Sequence, residues 1–316
     1  MGRYLLGRLV WCVPVMLGAS VLIFVLLRFL PGDVVDIILG SEGSATPEVR
    51  ETIRRLFGLD QPIYVQYFVW LGAVLRGDLG SSLRTSEPVA GLLLSRLPIT
   101  IELAVLSVAI SVLLAVPLGV VAAVKRGGPV EHVARLVGLI GLSLPNFWLA
   151  TMLILVASLG FGWLPSLNYV NPLRDPIENL KQMLMPSVSL ALALMAIVLR
   201  MTRSAMLEVL GQEYVKTARA KGLGERAVLM GHALKNAMIP VVTVVGIQMG
   251  TLFGSTVVIE QIFGLPGMGW TFVNGIYQRD YPTVQGAVLM LALTFVLVNL
   301  IVDVMYAYLD PRIRYE

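Results

Sequence analysis

The 316-residue chain is 57% hydrophobic and 14% charged, with a mean hydropathy of +0.81. A soluble domain carries about 25% charged residues, so these values exclude an ordinary soluble enzyme and define an integral membrane protein, for which length is no guide to domain count. The net charge of +4 reads as topology-setting Lys and Arg rather than a nucleic-acid surface, and the one cysteine, Cys12, excludes an internal disulfide and a cysteine-built metal site.

Uncharged gaps between ionisable residues mark the spans, each needing about 20 apolar residues to cross roughly 30 Å of hydrocarbon. In chain order they are residues 9–27, 103–124, 136–159, 182–199, 236–259 and 281–302. Backbone groups in lipid must bond within their own segment, so each is expected to be a helix. The first is longer than a 7–15-residue signal-peptide core and lacks a small-residue cleavage site, so it is read as a retained helix. This predicts an all-α integral membrane protein with six transmembrane helices. Its divisions are residues 1–30 (first helix), 31–98 (a segment outside the bilayer) and 99–316 (a five-helix core).

The 31–98 segment is patterned. Thr46-Pro47-Glu48 has the form of a helix start, with Val49, Ile53, Leu56 and Phe57 on one face and Gly58 as a stop. A second, amphipathic stretch over Ile63 to Leu75 carries Tyr64, Tyr67, Phe68 and Trp70, rings favoured at a membrane interface. Two readings stand: a packed cap over the bundle, or a docking face for an extracytoplasmic partner. Pro145 in Leu144-Pro145-Asn146 begins or kinks the third span.

Orientation follows from the short loops. One side holds fourteen Lys and Arg residues and the other three, leaving aside the seven in 28–98. By the positive-inside rule both termini are cytosolic, and so is the loop at about 203–238 between the fourth and fifth spans. Within it Glu213 to Lys221 reads as a short helix, Glu213 in its first turn and Lys221 in its last, the charge order that suits the helix dipole. Gly222 is a C-terminal stop. Tyr214, Thr217, Ala218 and Lys221 share a face, and small Ala218 and Ala220 would let another protein approach the backbone. The bland alternative is a solvated basic loop.

Chemistry is largely missing. There is no phosphate-binding Gly-x-x-x-x-Gly-Lys-Ser/Thr loop, no Gly-x-Ser-x-Gly elbow, and His132 and His232 stand a hundred residues apart. No catalytic residue, cofactor or metal is expected. Polar groups in or beside spans are functional candidates; Gln248, Glu260 and Asn299 are taken as candidates for a translocation path.

The cytosolic segment resembles the coupling motif of ABC-importer permeases: Glu-Ala-Ala, three residues, Gly, nine residues, Ile-x-Leu-Pro. Gly222, Leu234 and Ala218 match, whereas Lys216, Thr217, His232 and Lys235 depart from Glu, Ala, Ile and Pro. Ala218-Arg219-Ala220-Lys221-Gly222-Leu223 and His232-Ala233-Leu234-Lys235-Asn236-Ala237 are similar to the form used by the dipeptide/oligopeptide/nickel branch. Further short motifs fall in order along nearly the whole chain: Leu30-Pro31-Gly32-Asp33, Gly77-Asp78-Leu79-Gly80, Ser143-Leu144-Pro145-Asn146, Gly264-Leu265-Pro266-Gly267-Met268-Gly269 and Leu309-Asp310-Pro311-Arg312.

The resemblance implies a type I ABC-importer permease fold with a cytoplasmic coupling helix, in a prokaryotic inner or plasma membrane. It implies a transport subunit without its own ATPase site, importing dipeptides or short peptides. The implied partners are a homologous second permease in a heterodimer, two ATP-binding cassette ATPase subunits and an extracytoplasmic solute-binding protein. Glu213, Tyr214, Thr217, Ala218, Arg219, Lys221, Gly222, Leu223 and His232 would then meet an ATPase. Nickel, glutathione and oligopeptide import stay open within the family, and an ion-coupled carrier stays open outside it.

Overall fold

The computed structural model describes residues 2–29, 47–56, 58–164, 166 and 168–309. Leu30-Pro31-Gly32-Asp33, the Thr46 cap, Phe57 and Asp310-Pro311-Arg312 lie outside the described residues.

Eleven helices account for the described chain. They are α1 (Gly2–Phe29), α2 (Pro47–Leu56), α3 (Ile63–Val74), α4 (Val89–Val124), α5 (Pro129–Ser143) and α6 (Asn146–Phe161). Then come α7 (Pro176–Leu210), α8 (Glu213–Ala220), α9 (Glu225–Phe263, with a π-helical turn at Val228–Ala233), α10 (Met268–Tyr277) and α11 (Tyr281–Leu309). Among the described residues the only strand-like pairing is the isolated bridge Ser81–Pro88.

Five helices, α1, α4, α7, α9 and α11, are long and apolar enough to cross a membrane, and α5 with α6 makes a sixth if the pair is one span. That pair bends by 104°. The cause is local. Pro145 clashes with an α-helical predecessor and pushes it extended; Leu144 sits at φ −87°, ψ 125°. The third span is therefore broken where the proline stands.

The chain forms two compact units. One comprises Ile99–Pro266 with Leu297–Glu316, the other Gly2–Pro98 with Gly267–Val296. In the first, α7 is the central helix: 72% of its apolar window is buried, against 22–33% for the other long spans. Met183, Leu190, Leu194, Val198 and Leu199 of α7 pack with Leu103 of α4, Ala134 of α5, Ala150 of α6 and Val241 and Ile259 of α9. Close approach depends on small residues, as is common between membrane helices. A Cβ on Gly141 of α5 would stand 2.8 Å from the Leu192 carbonyl oxygen of α7. Helix α7 starts on Asp175, whose Oδ1 accepts from Glu178 N at 3.0 Å, with Pro176 at its first position. At 35 residues it is about 52 Å long, so it extends well past the hydrocarbon core.

The loop before α7 is tied down. Buried Gln182 donates from Nε2 to the Ser166 and Asn168 carbonyls at 2.5 and 3.1 Å and accepts from Val170 N at 3.0 Å. The Tyr169 hydroxyl donates to Glu102 Oε2 at 2.6 Å. Burial, then that carboxylate, push the Tyr169 phenol above its ordinary range.

In the second unit, α3 corrects an expectation. Residues Ile63–Val74 carry no charge and are apolar all round rather than amphipathic. Tyr67 and Trp70 pack on Phe24 of α1 at 5.4 and 5.5 Å between ring centroids, while Tyr64, Phe68 and Val69 are exposed. Ser20 and Tyr67 share a hydrogen bond of 2.9 Å. The 77–88 turn is stapled by Asp280. Its buried carboxylate accepts from Ser82 Oγ at 2.6 Å, Leu83 N at 3.1 Å and Thr283 Oγ1 at 2.7 Å.

Candidate functional site

Helix α8 forms a hairpin between α7 and α9. Gly211 ends α7, and Gln212 is extended (φ −73°, ψ 148°) and opens α8. Glu213 lies in the first turn and Arg219 in the last, complementing the helix dipole. Gly222 adopts φ +79°, a left-handed conformation that glycine takes without a Cβ penalty. It closes the helix, with its N–H donating to Arg219 O at 2.9 Å.

One face of α8 turns inward. Val215 and Ala218 are buried and pack with Val228 of α9 and with Val209 and Leu210 of α7. Of the four residues expected on a shared outward face, Ala218 is therefore turned into the hairpin. Burying Val215 requires this, because the residue three further on shares its side of a helix. Tyr214, Thr217 and Lys221 stay exposed, as do Glu213, Lys216, Arg219, Gly222 and Leu223.

Polar contacts fix the hairpin's shape. Arg219 reaches across the turn to Glu225, Nε to Oε2 at 3.1 Å and Nη2 to Oε1 at 2.7 Å. That hydrogen bond raises the guanidinium's pKa above its ordinary value. Asn236 Nδ2 donates to Tyr214 Oη at 2.9 Å and to the His232 carbonyl at 3.0 Å. His232 itself is exposed on the π-helical turn, a distortion frequent at functional positions. Lys216 Nζ donates to Glu213 at 2.7 Å on the open side.

Beneath the hairpin, Ala205 and Met206 of α7, Ala123 of α4, and Ala233 and Ala237 of α9 form a second buried cluster. Beside it lies an ionic cluster that the sequence reading missed. Glu131, 2% exposed, accepts from Arg135 and Arg203 Nη2 at 2.5 Å each and from Gly127 N at 2.6 Å. It links α5, the 125–128 turn and the last third of α7. The available signal was modest: Pro129 at a helix start and the i, i+4 spacing of Glu131 and Arg135. Nothing local points to Arg203, seventy-two residues away.

Of the three path candidates, Glu260 and Gln248 lie well apart on one helix. Glu260 is fully buried and accepts from Thr100 Oγ1 at 2.6 Å. Gln248 is half-buried on the same helix, twelve residues earlier, or about 18 Å along the axis. Asn299 is half-buried on α11. Among the described residues no group of three or more His, Cys, Asp or Glu side chains could hold a metal.

Five or six long apolar helices with a charged helical hairpin outside them define a class: a polytopic membrane protein. The chain belongs to the binding-protein-dependent transport system inner membrane component family, which it matches over residues 115–315, with the family's N-terminal component over residues 1–104. The chain is 38% identical over 333 residues to the dipeptide transport system permease protein of Alkalihalophilus pseudofirmus, covering 99% of each chain. It is 38% identical over 318 residues to the oligopeptide transport system permease protein of Bacillus subtilis, covering 100% of each. In fold it is similar to a chain of the MetNI methionine ABC transporter in an inward-facing conformation, with a TM-score of 0.56 at 20% identity. That match covers 72% of this chain and 100% of the other. The protein is a permease subunit of an ABC importer, not an enzyme; the ATPase lies in a separate subunit.

Proposed function

We propose that this permease forms half of the translocation pore of an ATP-driven importer of dipeptides or short peptides, in a heterodimer with a homologous permease. The observation that carries this reading is full-length identity to permeases named for dipeptide and oligopeptide transport. On this reading an extracytoplasmic binding protein delivers the peptide and sets most of the specificity. Both termini and the hairpin face the cytosol, in keeping with the basic excess of that side.

Coupling runs through α8. Its outward residues Glu213, Tyr214, Thr217 and Lys221, with Leu223 and exposed His232, meet a groove on the ATPase. Its inward residues Val215 and Ala218 transmit the push to α7 and α9. Arg219 and Gly222 shape the hairpin. Glu260, Gln248 and Asn299 remain candidates for the path.

The test is uptake by proteoliposomes holding the permease pair, the ATPases and the binding protein. Peptide accumulation that requires ATP and both partners is expected, with dipeptides and longer peptides separating the two relatives' substrate classes. Undiminished uptake without the ATPases would overturn the reading in favour of an ion-coupled carrier. Accumulation of nickel or glutathione in place of peptides would overturn the substrate class.

A further inference from the structure

Two cavities in the unit Gly2–Pro98 with Gly267–Val296 lie along the same faces of α1 and α11. The first, of about 600 Å³, gathers Arg28, Ser81, Ser86, Tyr281 and Gln285. Arg28 ends the apolar run Val10–Arg28, at the depth where a span leaves hydrocarbon. Its guanidinium lies 4.9 Å from the Phe24 ring centroid. Among the described residues no carboxylate pairs with it, and the hydroxyls of Ser81, Ser86 and Tyr281 and the amide of Gln285 make no side-chain hydrogen bond. Asp280 is not its counter-ion, since that carboxylate is taken up by Ser82, Leu83 and Thr283. The cavity thus brings a cation with no carboxylate partner among the described residues, set against Phe24 and beside the Tyr281 phenol, together with the Ser81 and Ser86 hydroxyls and the Gln285 amide, a set complementary to an anion such as a phosphate.

The second cavity, of about 520 Å³, is walled by apolar side chains, among them Met16 of α1, Leu71 of α3, Ala90 of α4, and Leu289 and Leu293 of α11. On α1, Cys12, Met16 and Ser20 of this cavity and Leu27 of the first fall on one helix face. On α11, Gln285 of the first cavity and Leu289 and Leu293 of the second follow at i, i+4 and i+8. Ser20 to Arg28 is eight residues, or about 12 Å along the axis. The order from the membrane surface inward is cation and hydroxyls, then the aromatic group Phe24, Tyr67 and Trp70, then an apolar groove.

We infer that the two cavities together bind one anionic glycerophospholipid, its phosphate on Arg28 and an acyl chain in the groove below. The order of groups matches that molecule from headgroup to tail. A free phosphate would leave the groove unused, and an uncharged hydrophobe would leave Arg28 without a counter-charge at the edge of the bilayer. The inference does not rest on which solute the permease carries.

Native mass spectrometry of the intact complex, purified in mild detergent and titrated with phosphatidylglycerol or phosphatidylethanolamine, tests it. The wild type is expected to retain one phosphatidylglycerol with roughly 10-fold preference, because the phosphate of phosphatidylethanolamine is already neutralised by its own ammonium group. Arg28→Gln removes the cation and Gln285→Glu sets a negative charge against the phosphate. Each is expected to abolish the preference, so the result stands if only one variant assembles. Ala90→Leu narrows the groove and is expected to weaken retention of the lipid. Equal retention of the two lipids by the wild type, or undiminished preference in the variants, overturns the site. Displacement of phosphatidylglycerol by millimolar inorganic phosphate, or full retention by Ala90→Leu, also overturns it by showing a phosphate site without a lipid chain.

Discussion

Arg219 and Glu225 close the α8 hairpin with a two-point ion pair, 2.7 and 3.1 Å long, across the turn that holds Gly222 and Gly224. Both side chains are about half exposed, and such pairs contribute little to global stability. The pair instead fixes the angle at which the hairpin is presented. Arg219→Ala and Glu225→Ala are each expected to leave the amount of assembled complex unchanged while lowering ATP-driven uptake several-fold. The exchange Arg219→Glu with Glu225→Arg is expected to restore most of it. Uptake assays in proteoliposomes check the cycle, and raised salt is expected to weaken the wild type toward the single variants.

The two faces of α8 separate by substitution. Ala218, 7% exposed against Val228, has no room for a larger side chain, and overpacking costs about 1–3 kcal/mol. Ala218→Leu is expected to loosen the hairpin and admit trypsin at Arg219 and Lys221. Thr217→Trp, on the exposed side, is expected to leave the tryptic pattern unchanged and abolish co-purification of the ATPase. Limited proteolysis and pull-down read the two outcomes separately.

Glu131 joins two arginines and a backbone N–H across α5 and α7. Arg203 is only 21% exposed, so Glu131→Ala would leave a largely buried cation without its carboxylate, the costly way to break such a pair. The expected outcome is a melting temperature several degrees lower for the detergent-solubilised complex. Glu131→Asp is expected to recover part of it. A thermal-shift assay decides.

Tyr169 donates to Glu102 with a phenol held above its ordinary value near 10 by burial and by that carboxylate. The sign follows: a group whose folded pKa is raised contributes stability in full below its unfolded pKa. That contribution is lost as pH rises through the folded one. Tyr169→Phe is therefore expected to loosen the 162–175 loop by about 1–3 kcal/mol at all pH values below 10. In the wild type the same loosening should appear only above pH 10. Hydrogen exchange of the loop amides across that range checks both halves.

Much of the fold was legible in the chain because membrane insertion is a local constraint. Each uncharged run must form its own helix, and Pro145 marks the break between α5 and α6 because the clash with Leu144 is local too. Gly222 announced the end of α8 for the same reason. The α8 hairpin's place and ends were therefore readable, but its inward face was not. Tyr214, Thr217, Ala218 and Lys221 share a helical stripe, and only the positions of Val209, Leu210 and Val228 select Val215 and Ala218 for burial.

By itself the sequence determined that this is a membrane protein, how many apolar segments it has and where its charged loop lies. Hydrophobic length and loop charge are properties of contiguous residues. Tertiary structure decided which polar groups meet: Glu131 with Arg203, Glu260 with Thr100, and Asp280 with Ser82. Those partners are 72 to 198 residues apart in the chain. In an apolar interior a polar group must find a partner wherever packing brings one, at a separation that no sequence window contains.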